Sequence, residues 1–161
     1  MVRATGVREE RQRDESPADY VRRLAEEKAF AVAMHADEVV LGADTVVVID
    51  NLVLEKPRDA SDAMRMVALL SAREHEVITG ICLRSQTRKI VDIATTGVRF
   101  ATVSREEAES YIASGEFVDK AGAYAIQGLA SKFIDRIEGC YFNVVGLPVA
   151  MVYRYLREIA G

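Results

Sequence analysis

Asp44 is a carboxylate set inside an apolar run, between Leu41-Gly42 and Val46–Ile49. Ionised carboxylates occupy such places when they are paired, hydrogen-bonded or bound to a metal. Gly42 leaves room beside it for a ligand to come close. Spacing alone also allows Asp44 to be a strand-end residue facing water, or a turn cap. Lys56, in Glu55-Lys56-Pro57, follows the turn signal Asp50-Asn51, so a two-stranded return brings it back beside Asp44. A Lys beside a carboxylate at a glycine-bordered cleft suits a phosphate held with a divalent metal, and a solvated Lys before Pro is the plainer alternative. Lys28, four residues after Leu24, sits at the border of a helical apolar face, where lysines ordinarily snorkel.

The stretch Asp119-Lys120-Ala121-Gly122-Ala123-Tyr124-Ala125-Ile126-Gln127-Gly128 combines small residues, one aromatic, one amide and an acid–base pair. Gln127 can read a nucleobase edge and Tyr124 can stack on one, while Gly and Ala leave backbone amides accessible. A glycine-rich turn around a core tyrosine fits the same residues. Other chemistries are missing from the sequence. His35 and His75 have no second ligand at metal spacing, and no GxSxG, Walker A or GxGxxG appears. Cys82 falls in an apolar strand pattern, the Met64 and Met66 pair reads as helix packing, and Glu9-Glu10 lie in a charged run typical of solvated faces.

These residues need elements to hold them. Ser16-Pro17 opens a helix running to about His35, with a hydroxyl cap, Pro in the first turn and Asp19 near the positive dipole end. Val39–Leu41 and Val46–Ile49 read as buried strand, and Asp50-Asn51 turns the chain into Leu52–Leu54. Asp59 or Ser61 caps a second helix. Glu76–Arg84 and Ile90–Val103 are β-rich, joined at Ser85–Arg88. Ser104 and Glu107 form a capping box for a helix to about Ala113, stopped at Gly115. A strand at Phe133–Ile137 and a final amphipathic helix at Val149–Ile159 complete the chain. Three or four helices with about six strands mean an α/β or α+β fold.

The chain has 161 residues, half of them hydrophobic, with 10 Gly and 3 Pro. That is too apolar for disorder, and long enough for one core that buries roughly 70% of the unfolded surface. A single domain over residues 1–161 is expected. Net charge −4, from 21 Lys and Arg against 25 Asp and Glu, gives no global attraction to nucleic acid or to an anionic membrane. No run approaches the roughly 20 apolar residues of a membrane span. Met1–Gly6 leads into charge and not into a signal-peptide core, and two cysteines make no disulfide framework, so a cytoplasmic protein with reduced thiols is expected.

Taken together, Leu41-Gly42-Ala43-Asp44-Thr45-Val46-Val47, Glu55-Lys56-Pro57, Asp119–Gly128 and Asn143-Val144-Val145-Gly146-Leu147-Pro148 resemble the Maf family of nucleoside triphosphate pyrophosphatases. Thr5-Gly6-Val7-x-Glu9 followed by Glu15-Ser16-Pro17 is similar to that family's second strand and following helix start. The resemblance implies an α/β fold like that of inosine triphosphatase, with a mixed sheet, flanking helices and two lobes around a central cleft, in a homodimer. It implies cleavage of a nucleoside triphosphate between the α- and β-phosphates, with Mg²⁺ or Mn²⁺ as the divalent metal cation. Asp44 matches the general base, with Lys28 and Lys56 at phosphate-site positions and Glu9 beside Asp44 on the metal side. Thr45 and Gln127 match positions tied to substrate choice, and the wording AGAYxIQG resembles the branch acting on dTTP and UTP.

The sequence departs from that pattern at its start. Family members begin with a strand and a Ser-x-Ser-Pro-Arg-Arg loop that opens the first helix, and nothing here matches either. The expectation is a Maf-like domain without its first strand and helix. Two readings follow: a pyrophosphatase acting on dTTP and UTP, or a non-catalytic nucleotide-binding or regulatory protein of the division-arrest kind. A pyrophosphatase for hypoxanthine or xanthine nucleotides is a third.

Overall fold

The computed structural model describes residues 2–3 and 5–160; Met1 and Ala4, part of the N-terminal reading above, and Gly161 lie outside the described residues. Five strands form one sheet in the order β2-β1-β3-β4-β5, with β1 Val40–Ile49, β2 Leu52–Leu54, β3 Glu74–Arg84, β4 Lys89–Phe100 and β5 Ile134–Glu138. The α/β architecture with flanking helices agrees with expectation. Every pairing described is antiparallel, so the parallel pairing of a mixed sheet is not among these strands.

Helix α1, Pro17–Phe30, covers one face of the sheet. Its Tyr20, Val21 and Leu24 pack on Val46, Val48 and Ile78, and its Ala25 and Ala29 on Cys82. The approach is close enough to exclude side chains below it. A Cβ on Gly42 would lie 2.1 Å from the Ala25 carbonyl oxygen, and one on Gly80 would lie 2.2 Å from that of Val21. Ser16 caps α1 as expected, but the helix ends at Phe30 and not near His35. Arg84 closes this end: its guanidinium donates to the carbonyl of Ala29 in the last turn and to that of Val32 just beyond the helix.

The other face carries the larger core. Val47, Ile49, Val77, Val98 and Phe100 pack there against α2, Ala60–Leu70, and α3, Arg105–Ala113. Asp59 is the cap of α2, and the Ser104–Glu107 capping box is complete. At the far end of this face Ile81 and Leu83 meet Val152 and Ile159 of α5, Val149–Ala160. A one-turn helix α4, Tyr141–Val145, absent from the sequence reading, precedes it. Asn143 of α4 is fully buried and donates to the carbonyl of Val77 and to the Thr96 hydroxyl, which pins the turn to the sheet.

Two expectations change. Val39–Leu41 and Val46–Ile49 are not separate runs, because β1 passes unbroken through Gly42 and Asp44. Residues 5–9 do not form a strand. They are held by side chains instead: Val7 packs on the α1 core, and Glu9 reaches Lys28.

Candidate active site

The hairpin at Asp50-Asn51 is a two-residue turn with both residues at positive φ, 50° and 63°. In such a turn the flanking pair Ile49 and Leu52 exchange hydrogen bonds. Counting back by twos, the peptide groups of Val47, Thr45 and Ala43 point toward the β2 side. β2 pairs only with Val47, Val48 and Ile49, whereas β3 pairs with β1 from Val40 to Val48. The first half of β1 therefore has an open edge among the described residues. A cavity of about 470 Å³ lies along that edge, within the range of small-molecule sites.

Adjacent residues of β1 send side chains to opposite faces. Asp44 turns toward α1, where its Oδ1 accepts a hydrogen bond of 2.5 Å from Lys28 Nζ. Lys28 Nζ also lies 2.6 Å from Glu9 Oε1, so one ammonium joins both carboxylates. The Asp44 side chain is only 9% exposed, against 41% for Glu9. Burial raises the Asp44 pKa above the ordinary carboxylate value, opposed by the Lys28 bond. The hydrogen bond from Lys28 lowers that of Glu9, against a smaller effect of burial. For Lys28, burial favours the neutral amine, but the bonds to Asp44 and Glu9 outweigh it and its pKa is raised. Lys28 is thus an internal counter-cation and not a snorkelling surface lysine, and Asp44 is neither a strand-end residue nor a turn cap.

Lys56 arrives from the end of β2, as the hairpin geometry requires, and stands 3.9 Å from Glu9 Oε2 with more than half its side chain exposed. It is the more exposed cation of the pair, open to a ligand in the cavity. Glu9, Lys28, Asp44 and Lys56 all line the cavity, and so do Thr45 and Gln127. Thr45 faces the α4–α5 side, where its hydroxyl shares a 2.9 Å hydrogen bond with Thr79 and donates to the Gly146 carbonyl.

The 119–128 segment is a tethered turn. Gly122 has φ +67°, and a Cβ there would lie 2.8 Å from Val47 Cγ2, so this residue must be glycine. Its N–H donates to the Glu55 carbonyl, and Tyr111 donates its hydroxyl to the carbonyl of Ala123. Tyr124 is 6% exposed, its ring edge-on to Phe100 and its hydroxyl 2.8 Å from His75 Nε2. The stacking role considered for Tyr124 does not hold, because its ring is committed to the core. Gln127 is exposed and lines the cavity.

Three further cavity residues had been given no role of their own in the site. Tyr20, on the apolar face of α1, donates its hydroxyl to Glu55 Oε1 at 2.9 Å. Glu55 and Lys120 line the same cavity. Their only signal was adjacency to recognised residues, since the contact between residues 20 and 55 exists only in the folded chain.

Among the described residues no three His, Cys, Asp or Glu side chains cluster at metal spacing. Glu9 and Asp44 nevertheless converge on one cation, the Lys28 ammonium. Mg²⁺ is commonly held by one or two carboxylates together with substrate phosphates and water, and this oxygen pair fits such a partly built shell.

The model of the family described as Maf-like protein matches residues 1–159. A dTTP/UTP pyrophosphatase of Koribacter versatilis (strain Ellin345) is 53% identical over 145 residues, covering 89% of this chain and 75% of that protein. A protein of the same name from Vibrio cholerae serotype O1 is 52% identical over 147 residues, covering 89% of this chain and 78% of its own length. Another from Escherichia coli O157:H7 is 49% identical over 157 residues, covering 96% and 79%.

Proposed function

Because the chain belongs to the Maf-like protein family, we propose that it is a nucleoside triphosphate pyrophosphatase that converts dTTP and UTP to the monophosphate and pyrophosphate. The observation that carries this reading is the convergence of Asp44, Lys28, Glu9 and Lys56 in a cavity that Gln127 also lines. Cationic side chains and a base-reading amide in one cavity suit the two ends of a nucleotide.

Asp44 is the general base. Attack on the α-phosphorus needs an in-line water, and a buried carboxylate with a raised pKa is a better proton acceptor than an exposed one. Lys28 holds Asp44 in place, and with Lys56 it neutralises charge on the departing pyrophosphate. Gln127 offers one donor and one acceptor to the O4/N3–H edge shared by thymine and uracil. Thr45, fixed by Thr79 and Gly146, shapes the wall beside it.

Lys28, Lys56 and Lys120 stand in the cavity against Glu9, Asp44, Glu55 and Asp119, so a triphosphate needs further positive charge there. A divalent cation, Mg²⁺ or Mn²⁺, held by Glu9 and Asp44, would supply it and polarise the phosphoryl oxygens. The protein acts in the cytoplasm on a free nucleotide, with no nucleic-acid or membrane partner. No described helix is long and apolar enough to cross a membrane. It works as a homodimer, a reading supported by the exposed Phe142, Val145, Val149 and Tyr153 on α4 and α5.

A panel of dTTP, UTP, ITP and 7-methyl-GTP, with pyrophosphate release measured in Mg²⁺ or Mn²⁺, tests this. Release from dTTP and UTP above the other two is expected. Preference for ITP, or binding without release, would replace the reading with one of its alternatives.

A further inference from the structure

Glu55 has no place in the phosphate chemistry above, yet it lies in the same cavity. Its Oε1 accepts from the Tyr20 hydroxyl, and Tyr20 is 1% exposed, so the carboxylate is held from below by a buried donor. Among the described residues Glu55 makes no ion pair, which leaves its second oxygen for another partner. Its backbone is tied on two sides. The next residue in the chain is Lys56, at the phosphate end. Its carbonyl takes the N–H of Gly122, which begins the turn that ends in Gln127.

A carboxylate in the cavity that also holds Lys56 and Gln127 lies within the span of a bound nucleotide. It repels phosphate, but it is a strong acceptor for a hydroxyl, since charge-assisted bonds to O–H are the shorter and stronger kind. Carboxylates take sugar hydroxyls in this way in dinucleotide sites. The hydroxyl that dTTP and UTP have in common is the 3′-OH. Burial, together with the Glu55 charge, keeps the Tyr20 phenol protonated and therefore a donor.

We propose that Glu55 accepts the 3′-hydroxyl of the nucleotide sugar and that Tyr20 is its positioning residue. This rests on the reading of the cavity as a nucleotide site. It makes the enzyme a reader of all three parts of its substrate, with the sugar recognised by a side chain separate from those for base and phosphate.

The test compares kcat/KM for dTTP with that for its 3′-deoxy analogue. The wild-type protein favours dTTP by roughly 10-fold or more, the size expected of a hydrogen bond to a charged group. Glu55→Ala brings the ratio to about one. Glu55→Gln and Tyr20→Phe retain part of it, through KM and not kcat, and they serve if Glu55→Ala does not fold. A wild-type ratio near one, or a Glu55→Ala ratio equal to the wild type, overturns the proposal. If neither nucleotide is hydrolysed, the pyrophosphatase reading falls. The sugar proposal is then decided by the same ratio in equilibrium dissociation constants of the two nucleotides.

Discussion

Opposing effects meet at single side chains in the cleft. Burial makes the Asp44 carboxylate unfavourable as an anion, and Lys28 makes it tolerable, so the group is kept ionisable yet basic. Replacing Asp44 with Asn preserves shape and removes the proton acceptor. A loss of roughly 10²–10⁴-fold in kcat is expected, the range for a general base, with unchanged far-ultraviolet circular dichroism. Normal turnover by Asp44→Asn would remove Asp44 from the mechanism. This residue was visible in the sequence because a charge in an apolar run is locally anomalous. Tyr20 and Tyr124 were not interpretable in that way. Both are aromatics at apolar-looking positions, and only the fold decides that the hydroxyl of Tyr20 meets Glu55 while that of Tyr124 meets His75.

Secondary elements were legible where their signals are local. The Asp50-Asn51 hairpin, the Ser16 cap and the Ser104–Glu107 box are each written within a few residues, and all three are present. The end of α1 was misjudged because Arg84, more than fifty residues away, closes it. Gly42 was read as leaving room for a ligand, whereas the space above it is filled by α1, and Gly80 drew no reading at all. They admit α1 to the sheet, and Asp44 lies directly opposite Gly80 in the β1–β3 register. Gly80→Ala should therefore lift α1 and carry Lys28 away from Asp44. The expected cost is about 1–3 kcal/mol in urea unfolding, as for other overpacked sites, with a fall in kcat/KM larger than the stability loss explains. Unchanged kinetics in a destabilised Gly80→Ala protein would show that α1 placement does not control the Lys28–Asp44 pair.

Across the whole molecule, the sheet separates two packing regimes, and His75 sits in the larger one. It is 3% exposed, and burial lowers its pKa from 6.5 to about 4. Below pH 6.5 the unfolded chain binds a proton at this site that the folded chain refuses until about pH 4. Stability conferred by this group is complete above pH 6.5 and is lost as pH falls through that window, by up to about 3 kcal/mol. Chemical denaturation at pH 7.0, 6.0 and 5.0 should show the decline, and His75→Gln should flatten it. An identical slope in His75→Gln would place the sensitivity elsewhere. The alternation of β1 has a different consequence, for how such a protein can change over generations. Asp44 and Thr45 are neighbours in sequence but serve opposite sides of the sheet, one turned to Lys28 and the other to Gly146. Point substitutions can retune either side alone. Deleting or inserting one residue in β1 exchanges the sides for every residue beyond it, so this strand tolerates drift in its letters and none in its count.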